Sequence, residues 1–195
     1  MERGLKNPPT TFIALLRGIN VGGNNLIPMA ELRSLCADIG ADCAQTYIQS
    51  GNLVFNATST ASELEATLER AIQKRWGIAI PVIVRSATQW PNYIKNNPFA
   101  AATKKEPRFV MLGLSKGLPK PDAAEKLRER ADNGEQVVQI DDTLWFHFAN
   151  GAGKSKLPAL FDRLAGTPVT VRNWNTVLKL NELAQTVLRE TCIVK

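Results

Sequence analysis

Apolar positions along this chain follow two periods, one typical of strands and one typical of helices. Short apolar runs between polar and turn residues predict strands, and apolar residues three and four positions apart predict helices. In the first half the predicted order is strand, helix, strand, strand, helix, strand. The strands are 11–16, 44–48, 53–55 and 80–84, and the helices run from Pro28 to Ile39 and from a cap at Thr60 or Ser62 to Trp76.

The second half repeats this order after a linking helix over 86–97. A hairpin across Asp141-Asp142-Thr143 joins two of its strands, and a long helix with one apolar stripe ends the chain. The predicted strands of this half are 108–114, 136–140, 144–148 and 168–171, and its helices are 121–131, 157–164 and 172–191.

This order is the split βαβ arrangement of ferredoxin-like folds, which places two helices against an antiparallel sheet. We therefore predict an α+β protein of two ferredoxin-like halves with antiparallel sheets, plus a long C-terminal helix. No residue-level repeat is visible, so duplication rests on the element order alone. The predicted parts are a flexible lead-in at 1–10, half 1 at 11–85, a linking helix and loop at 86–107, half 2 at 108–171 and the C-terminal helix at 172–195.

The composition, with 44% apolar and 22% charged residues, predicts a soluble globular protein, and the cysteine usage predicts a reducing cytoplasm. No apolar run is long enough to span a membrane, and the first ten residues lack the core of a signal peptide. Cys36, Cys43 and Cys192 are too few and scattered for a disulfide framework or a zinc site, and Cys36 falls on an apolar helix face.

The net charge of +6 is concentrated near the C-terminus, where the last 45 residues carry seven cations against three acids. Such an excess attracts an anionic ligand or nucleic acid. The plain alternative is a solvated surface.

The loop after the first strand is the first candidate site. Its glycines permit positive φ and leave backbone N–H groups uncovered, as an anion-binding nest requires, and Arg17 offers a planar fork for phosphate or carboxylate. The alternative is that the glycines only turn the chain while asparagine side chains satisfy its backbone. The candidate ligands here are Arg17, Asn20, Gly22, Gly23 and Asn24.

The connection between the second and third strands is the second candidate. Gln49, Ser50 and Asn52 put two amides and a hydroxyl in one tight connection beside Tyr47. The alternative is a hairpin turn with Gly51 at positive φ.

The third candidate pairs Lys154 with Ser155, before a predicted helix start that is able to bind an anion. Gly-Lys-Ser at 153–155 matches the end of a phosphate-binding P-loop, but Phe148 stands where the leading glycine is required, so we reject an ATPase. The alternative is a helix cap at Ser155 with exposed lysines.

The fourth candidate is the predicted start of the last helix, where we name Arg172, Asn173, Trp174 and Asn175. Two amides, an arginine and an indole are more polar side chains than the capping of a helix requires. The alternatives are an asparagine cap and a tryptophan that anchors the core, against base stacking on the indole.

Conventional catalytic sets are poor. His147 lies in mid-strand without a serine or cysteine motif, and Asp141 and Asp142 are typical turn residues. No His, Cys or Glu cluster has metal-ligand spacing. We therefore assign no nucleophile, base, metal or cofactor.

Four passages together resemble the bacterial DUF1697 family of unknown function. They are Leu-Leu-Arg-Gly-Ile-Asn-Val-Gly-Gly (15–23) with Pro-Met-Ala-Glu-Leu (28–32), Thr-Tyr-Ile-Gln-Ser-Gly-Asn-Leu-Val-Phe (46–55), Gly-Lys-Ser-Lys-Leu (153–157) and Thr-Val-Arg-Asn-Trp-Asn-Thr-Val-Leu-Lys-Leu (170–180). We call them motifs 1 to 4. The resemblance implies two ferredoxin-like halves and no activity.

The leading expectation for function is a protein whose motif loops bind a small anionic or nucleotide-like ligand, with Arg17 and Arg172 facing one cleft. A second is a module that binds RNA or single-stranded nucleic acid through a sheet surface and Trp174. A third is an interaction protein without a small-molecule ligand, in which the asparagines cap helices. The sequence leaves the oligomeric state open.

Overall fold

The computed structural model describes the chain from residue 9 to residue 193, and its side chains as far as residue 189. Residues 1–8 of the predicted lead-in and the side chain of Cys192 lie outside the described part. The strands are β1 (Thr10–Leu16), β2 (Asp42–Tyr47), β3 (Asn52–Ala57), β4 (Val82–Ser86), β5 (Val110–Ser115), β6 (Glu135–Ile140), β7 (Thr143–Phe148) and β8 (Val169–Asn173). The helices are α1 (Met29–Asp38), α2 (Ala61–Trp76), α3 (Trp90–Lys95), α4 (Ala100–Lys105), α5 (Ala123–Arg128), α6 (Phe161–Ala165) and α7 (Trp174–Ile193).

The chain forms two compact units. As far as it is described, unit 1 comprises residues 9–91 and 180–193, and unit 2 comprises residues 92–179. The first residues of α7 thus belong to unit 2 and the rest of that helix to unit 1.

Unit 1 contains a four-stranded antiparallel sheet in the order β2-β3-β1-β4, which we call sheet 1. One face of sheet 1 packs against α1 and α2, whose apolar stripes are buried with it. The buried residues of this core include Phe12, Ala14, Leu16, Leu32, Leu35, Leu64, Leu68 and Ile72. This arrangement confirms the predicted ferredoxin-like organisation of the first half.

Helix α2 begins and ends as its sequence predicts. The hydroxyl of Thr60 accepts the backbone N–H of Glu63, and the carboxylate of Glu63 accepts the backbone N–H of Thr60 at 2.8 Å. This capping box decides between the two predicted caps in favour of Thr60. Gly77 ends the helix at φ 70°.

Unit 2 repeats the arrangement with sheet 2, which has the antiparallel order β6-β7-β5-β8. Phe146 and Phe148 of β7 face the helix layer, where the ring of Phe161 lies 4.5 Å from that of Phe146. The core also contains Ala124 and Leu127 of α5. The second half is therefore ferredoxin-like as well.

The opposite face of each sheet is buried too. In sheet 1, Ile13 and Val54 are inaccessible to solvent, and in sheet 2 Val110 is inaccessible and Trp145 is 1% exposed. A strand buried on both faces carries a continuous apolar run, which explains why β1 shows no alternation.

Acidic side chains cap the backbone of two edge strands. The carboxylates of Glu69 and Glu65, one turn apart on α2, accept the N–H groups of Val82 and Val84 at 2.9 Å each. In unit 2, Asp162 of α6 accepts the N–H of Val169 at 2.9 Å. These bonds satisfy outward donors that would otherwise invite a further strand.

The strand register places two arginines at equivalent positions of the two units. Ile13 lies opposite Arg85, and Leu112 lies opposite Arg172, so the two arginines are equivalent. Aligned in this way, Val-Ile-Val-Arg-Ser of β4 and Val-Thr-Val-Arg-Asn of β8 share three of five residues. Each arginine also donates from Nη1 to the carbonyl of the preceding residue at 2.9 Å.

Several predicted boundaries differ from the structure. The linking helix is confined to α3, and α4 with a 3-10 turn at Pro107–Phe109 follows in the stretch expected to be a loop. The last helix begins at Trp174, because Arg172 and Asn173 pair with β5 as part of β8. The helix predicted over 157–164 is a 3-10 turn, Leu157–Leu160, followed by α6.

Among the described residues, no helix combines the length and apolar character that crossing a membrane requires.

Candidate functional site

Motifs 1 and 2 meet at one end of sheet 1. Strand β1 ends where β3 begins, because the two are antiparallel and Leu15 lies opposite Asn52. The backbone N–H of Leu16 donates to the carbonyl of Gly51 at 2.8 Å. The loop after β1 and the β2–β3 connection therefore form one surface, which we call the motif end of unit 1.

The glycines of motif 1 form a small hairpin that was not predicted from the sequence. Val21 and Asn24 form an isolated antiparallel bridge, with the N–H of Asn24 donating to the carbonyl of Val21 at 3.0 Å. Gly22 and Gly23 lie between them with φ of 58° and 78°. Two central residues with positive φ define a type I′ turn, and Gly-Gly between Val and Asn is its sequence signal. The two glycines therefore turn the chain, and anion binding by this loop stays a prediction.

Asn20 holds this loop to its neighbours. Its Nδ2 donates to the carbonyl of Ile27 at 3.0 Å and to that of Gln49 at 2.8 Å, and its Oδ1 accepts the N–H of Ile27 at 2.9 Å. Asn25 supports the same loop by donating to the carbonyl of Gly18 at 2.9 Å. The amide of Asn20 is therefore engaged in positioning backbone.

Motif 2 uses its polar groups in the same way. Asn52 is fully buried, and its Nδ2 donates to the carbonyl of Tyr47 and to Oγ of Ser50, both at 3.0 Å. Gly51 has φ 73°, and a Cβ at this position would lie 2.7 Å from Cβ of Leu16. Only glycine fits here, which explains the Ser-Gly-Asn sequence.

The exposed side chains at the motif end include three apolar ones and the amides of Asn24, Asn25 and Gln49. Val21 and Leu26 are each 64% exposed and Ile48 is 51% exposed, and Arg17 is half-buried. Ile48 also has φ 48°, which is rare for a β-branched residue. The motif end therefore offers a mixed surface of apolar and amide side chains beside an arginine.

Motif 3 follows β7 as a short 3-10 turn, Ala152–Lys154, and not as a helix start. Its Ser155 accepts the N–H of Leu157 through Oγ at 3.1 Å, and Lys156 pairs with Asp132 at 2.6 Å. These two polar side chains are engaged within unit 2.

Buried Glu135 of β6 lies beside this turn. Burial acts to raise its pKa, but hydrogen bonds from the hydroxyl of Ser155 and the N–H of Asn133 outweigh it, so the pKa lies below its ordinary value. An anion at Ser155 would meet this charged carboxylate. Ser155 is therefore a poor anion ligand.

Motif 4 is largely buried. Arg172 is 9% exposed and donates from Nη1 to Oγ1 of Thr170 at 2.8 Å, and burial lowers the pKa of its guanidinium to about 10, which still leaves it charged at pH 7. Trp174 is also 9% exposed, with its ring 6.0 Å from that of Trp145. Asn173 caps α7 by accepting the N–H of Thr176 at 3.0 Å, and Asn175 is exposed.

Motif 3 and the strand of motif 4 lie at the same end of sheet 2, because β7 and β8 both end beside the start of β5. The 3-10 turn Pro107–Phe109 leads into this end. A Cβ placed on Gly151 would be 3.8 Å from the ring of Phe109, and the guanidinium of Arg108 lies over that ring, 4.6 Å from its centroid.

Four exposed cations lie on the segments that lead into or form this end of unit 2, and we call them the basic surface. Helix α4 leads directly into the 3-10 turn that carries Arg108, and the Gly151 turn brings its own lysine. Most of this stretch was predicted to be a linker. The signal that could have revealed it is the run Lys-Lys-Glu-Pro-Arg-Phe at 104–109, which combines basic residues with an aromatic one. The members are Lys104, Lys105, Arg108 and Lys154.

Of the residues weighed for catalysis, His147 lies in β7 with its buried Nε2 lacking a hydrogen-bond partner, and Asp141 and Asp142 lie in the β6–β7 turn. The ring of His147 lies 5.8 Å from that of Phe99, and Asp141 has φ 50° in the β6–β7 turn. No three His, Cys, Asp or Glu side chains converge to hold a metal within the described part of the chain.

The four motifs therefore fall into two groups, motifs 1 and 2 in unit 1 and motif 3 with the β8 part of motif 4 in unit 2. Arg17 belongs to the first group and Arg172 to the second. The prediction that both face one cleft stays a prediction.

The fold defines the class: an α+β protein of two ferredoxin-like units with a C-terminal helix. The chain belongs to the DUF1697 family, described as a protein of unknown function, whose model matches residues 10–145. Motifs 1 and 2 lie inside the matched residues, and motifs 3 and 4 lie beyond them.

A solved structure shares this fold. It is described as the structure of conserved bacterial protein SP0830 from Streptococcus pneumoniae, with 22% identity and a TM-score of 0.73, and the match covers 91% of this chain and 99% of that one. No curated protein matches the chain significantly.

Proposed function

We propose that this protein binds a phosphate-bearing anionic ligand at the basic surface of unit 2. The observation that carries the proposal is the packing of the Gly151 turn against Phe109, whose ring supports Arg108. This packing brings cations from separate segments to one end of sheet 2. Clustered lysine and arginine side chains attract phosphate groups.

The proposal keeps the expected class of ligand and moves its site. At the motif end of unit 1, the amides of Asn20 and Asn52 are engaged with backbone, and Gly22 and Gly23 form a turn. In motif 3, Lys154 and Lys156 are both exposed, and Lys156 is paired with Asp132. We assign no reaction to the site.

The cytoplasm remains part of the proposal. Cys36 and Cys43 are free thiols, and burial raises the pKa of Cys36 to about 12, which keeps it protonated and unreactive. Free thiols suit a reducing compartment.

Thermal stabilisation by inorganic pyrophosphate tests the proposed function. We expect pyrophosphate to raise the Tm of the full chain, because a ligand that binds the folded state stabilises it. The double variant Arg108→Ala/Lys154→Ala should lose this increase. The matched control Arg70→Ala/Lys74→Ala removes the same charge from the exposed side of α2 and should keep it. Equal responses of the two variants would contradict the proposal.

A partner protein at the motif end of unit 1 is the second candidate, favoured by the exposure of Val21, Leu26 and Ile48. A photocrosslinking residue at position 26 should give an adduct of one discrete mass in cells. The same residue at position 73, on the exposed side of α2, should not. Identical adducts from both positions would speak against this candidate.

A further inference from the structure

The basic surface suggests a polymeric ligand. Its cations stand on α4, on the 3-10 turn Pro107–Phe109 and on the turn Ala152–Lys154, and all of them are exposed. Small ligands are recognised in concave sites that cover most of their surface. An extended polyanion instead contacts several exposed cations without being enclosed, one phosphate at a time.

Charge complementarity favours this occupant. Glu106 is the acid on the same stretch as Lys104, Lys105 and Arg108, so the positive charge dominates there. Asp132 lies near the Gly151 turn but is paired with Lys156 at 2.6 Å, and this pairing lowers the pKa of its carboxyl group. Glu106 and the buried Glu135 beside Ser155 are two negative charges against the four exposed cations, so the basic surface keeps a net positive charge.

Arg108 adds a feature that simple charge attraction does not need. Its guanidinium carbon lies over the ring of Phe109, 4.6 Å from the centroid, and Gly151 lies beside an edge of that ring. An exposed arginine held in this way presents the outer face of a planar group. Unpaired nucleic-acid bases stack on arginine planes of this kind, whereas bases in a duplex are already stacked on each other.

We propose that the ligand of the basic surface is single-stranded nucleic acid, with the four cations on its phosphates and one base stacked on Arg108. This inference rests on the proposed function and names its ligand. It does not use the sheet face or Trp174 expected from the sequence, since both are buried.

Fluorescence anisotropy with a labelled single-stranded RNA of about twelve nucleotides tests the inference on the full chain. With four phosphate contacts, the plot of log K against log salt should have a slope of about −3. Arg108→Ala/Lys154→Ala should weaken binding about tenfold or more and reduce the slope by about 1.4. The control Arg70→Ala/Lys74→Ala should leave both unchanged.

Arg108→Lys separates stacking from charge, because it keeps the cation and loses the plane. We expect about fivefold weaker RNA binding with an unchanged salt slope, and unchanged stabilisation by pyrophosphate. Circular dichroism of each variant checks that it is folded. We expect every variant to fold, because the substituted side chains are exposed.

The competing outcomes are distinct. If a polyglutamate of equal length binds as tightly as the RNA, or if Arg108→Lys binds RNA like the wild type, the inference fails while pyrophosphate stabilisation preserves the proposed function. If neither pyrophosphate nor RNA responds to Arg108→Ala/Lys154→Ala, both fail.

Discussion

At the scale of single residues, the motifs of unit 1 are explained by backbone geometry. Asn20, Gly22, Gly23 and Gly51 all have positive φ, and Asn20 and Asn52 spend their side-chain donors on backbone carbonyls or a neighbouring hydroxyl. Such residues resist substitution whether or not they touch a ligand. Turn geometry is therefore enough to explain the unusual sequence of these motifs. A binding site has to be argued from the side chains that remain exposed.

Gly51→Ala should destabilise the protein strongly. A left-handed alanine costs about 1–2 kcal/mol, and the Cβ would add overpacking against Leu16 and Ile19. We expect a loss of about 2–4 kcal/mol in urea unfolding. Gly77→Ala is the control, since its φ is similar at 70° but nothing lies within 4 Å of its Cβ position. A loss at Gly51 no larger than at Gly77 would refute the close contact.

At the scale of elements, side chains on helices decide which strand edges are closed. Glu65 and Glu69 accept two outward N–H groups of β4, and Glu65 also lies 3.7 Å from Arg85. Their spacing of one helical turn fits the spacing of alternate residues along the strand. This match fixes how α2 lies against β4.

Glu65→Ala should cost about 2–4 kcal/mol, because it leaves the Val84 N–H and the guanidinium of Arg85 without this carboxylate. Glu65→Gln keeps an acceptor and should lose less. Exposed Glu31→Ala on α1 should change the free energy of unfolding by less than about 0.5 kcal/mol. In Glu65→Ala, the backbone amide of Val84 should exchange its hydrogen faster than in the wild type. Unchanged exchange would argue against the hydrogen bond from this N–H to Glu65.

The turn of motif 3 should weaken in acid. The pKa of Glu135 is lower in the folded state than its ordinary value of 4.5, so the unfolded state binds more protons between the two values. The stabilisation is present above about pH 4.5 and is lost as the pH falls through the folded pKa. Glu135→Gln should flatten this acid limb of stability in urea unfolding, and Glu129→Gln at the exposed position that follows α5 should preserve it.

At the scale of the whole molecule, burial of both sheet faces limits how the protein meets a ligand. An open sheet face, such as the one that RNA-recognition sheets use, would expose Trp145, which is 1% exposed. The basic surface instead lies where strands end and loops begin. Loops at strand ends carry binding residues in many folds.

Iodide quenching of tryptophan fluorescence measures this burial. Trp90, Trp145 and Trp174 are at most 9% exposed, whereas Trp76 is half-buried with Arg75 over its ring. We expect most of the emission to resist iodide and Trp76→Phe to remove most of the quenchable part. Substantial quenching that survives in Trp76→Phe would mean that a sheet face is open.

The sequence by itself determined the class of fold and the family. Apolar periodicity, the caps at Thr60 and Gly77 and the turn chemistry are local signals, so they predict element order without tertiary information. The first strand needs no alternation because it is buried on both faces. Motifs 1 and 2 were recognisable from the sequence because tight turns require particular residues, which is also a local signal.

Only the tertiary structure decided what those residues do. Antiparallel pairing places motif 1 beside motif 2 and gives Arg85 and Arg172 equivalent positions. Tertiary packing buries Arg172 and Trp174, which the sequence had suggested as ligands. It also placed Gly151 beside the ring of Phe109, although the two residues are more than forty positions apart in the chain. Such contacts depend on register and packing between distant segments, and no local pattern encodes them.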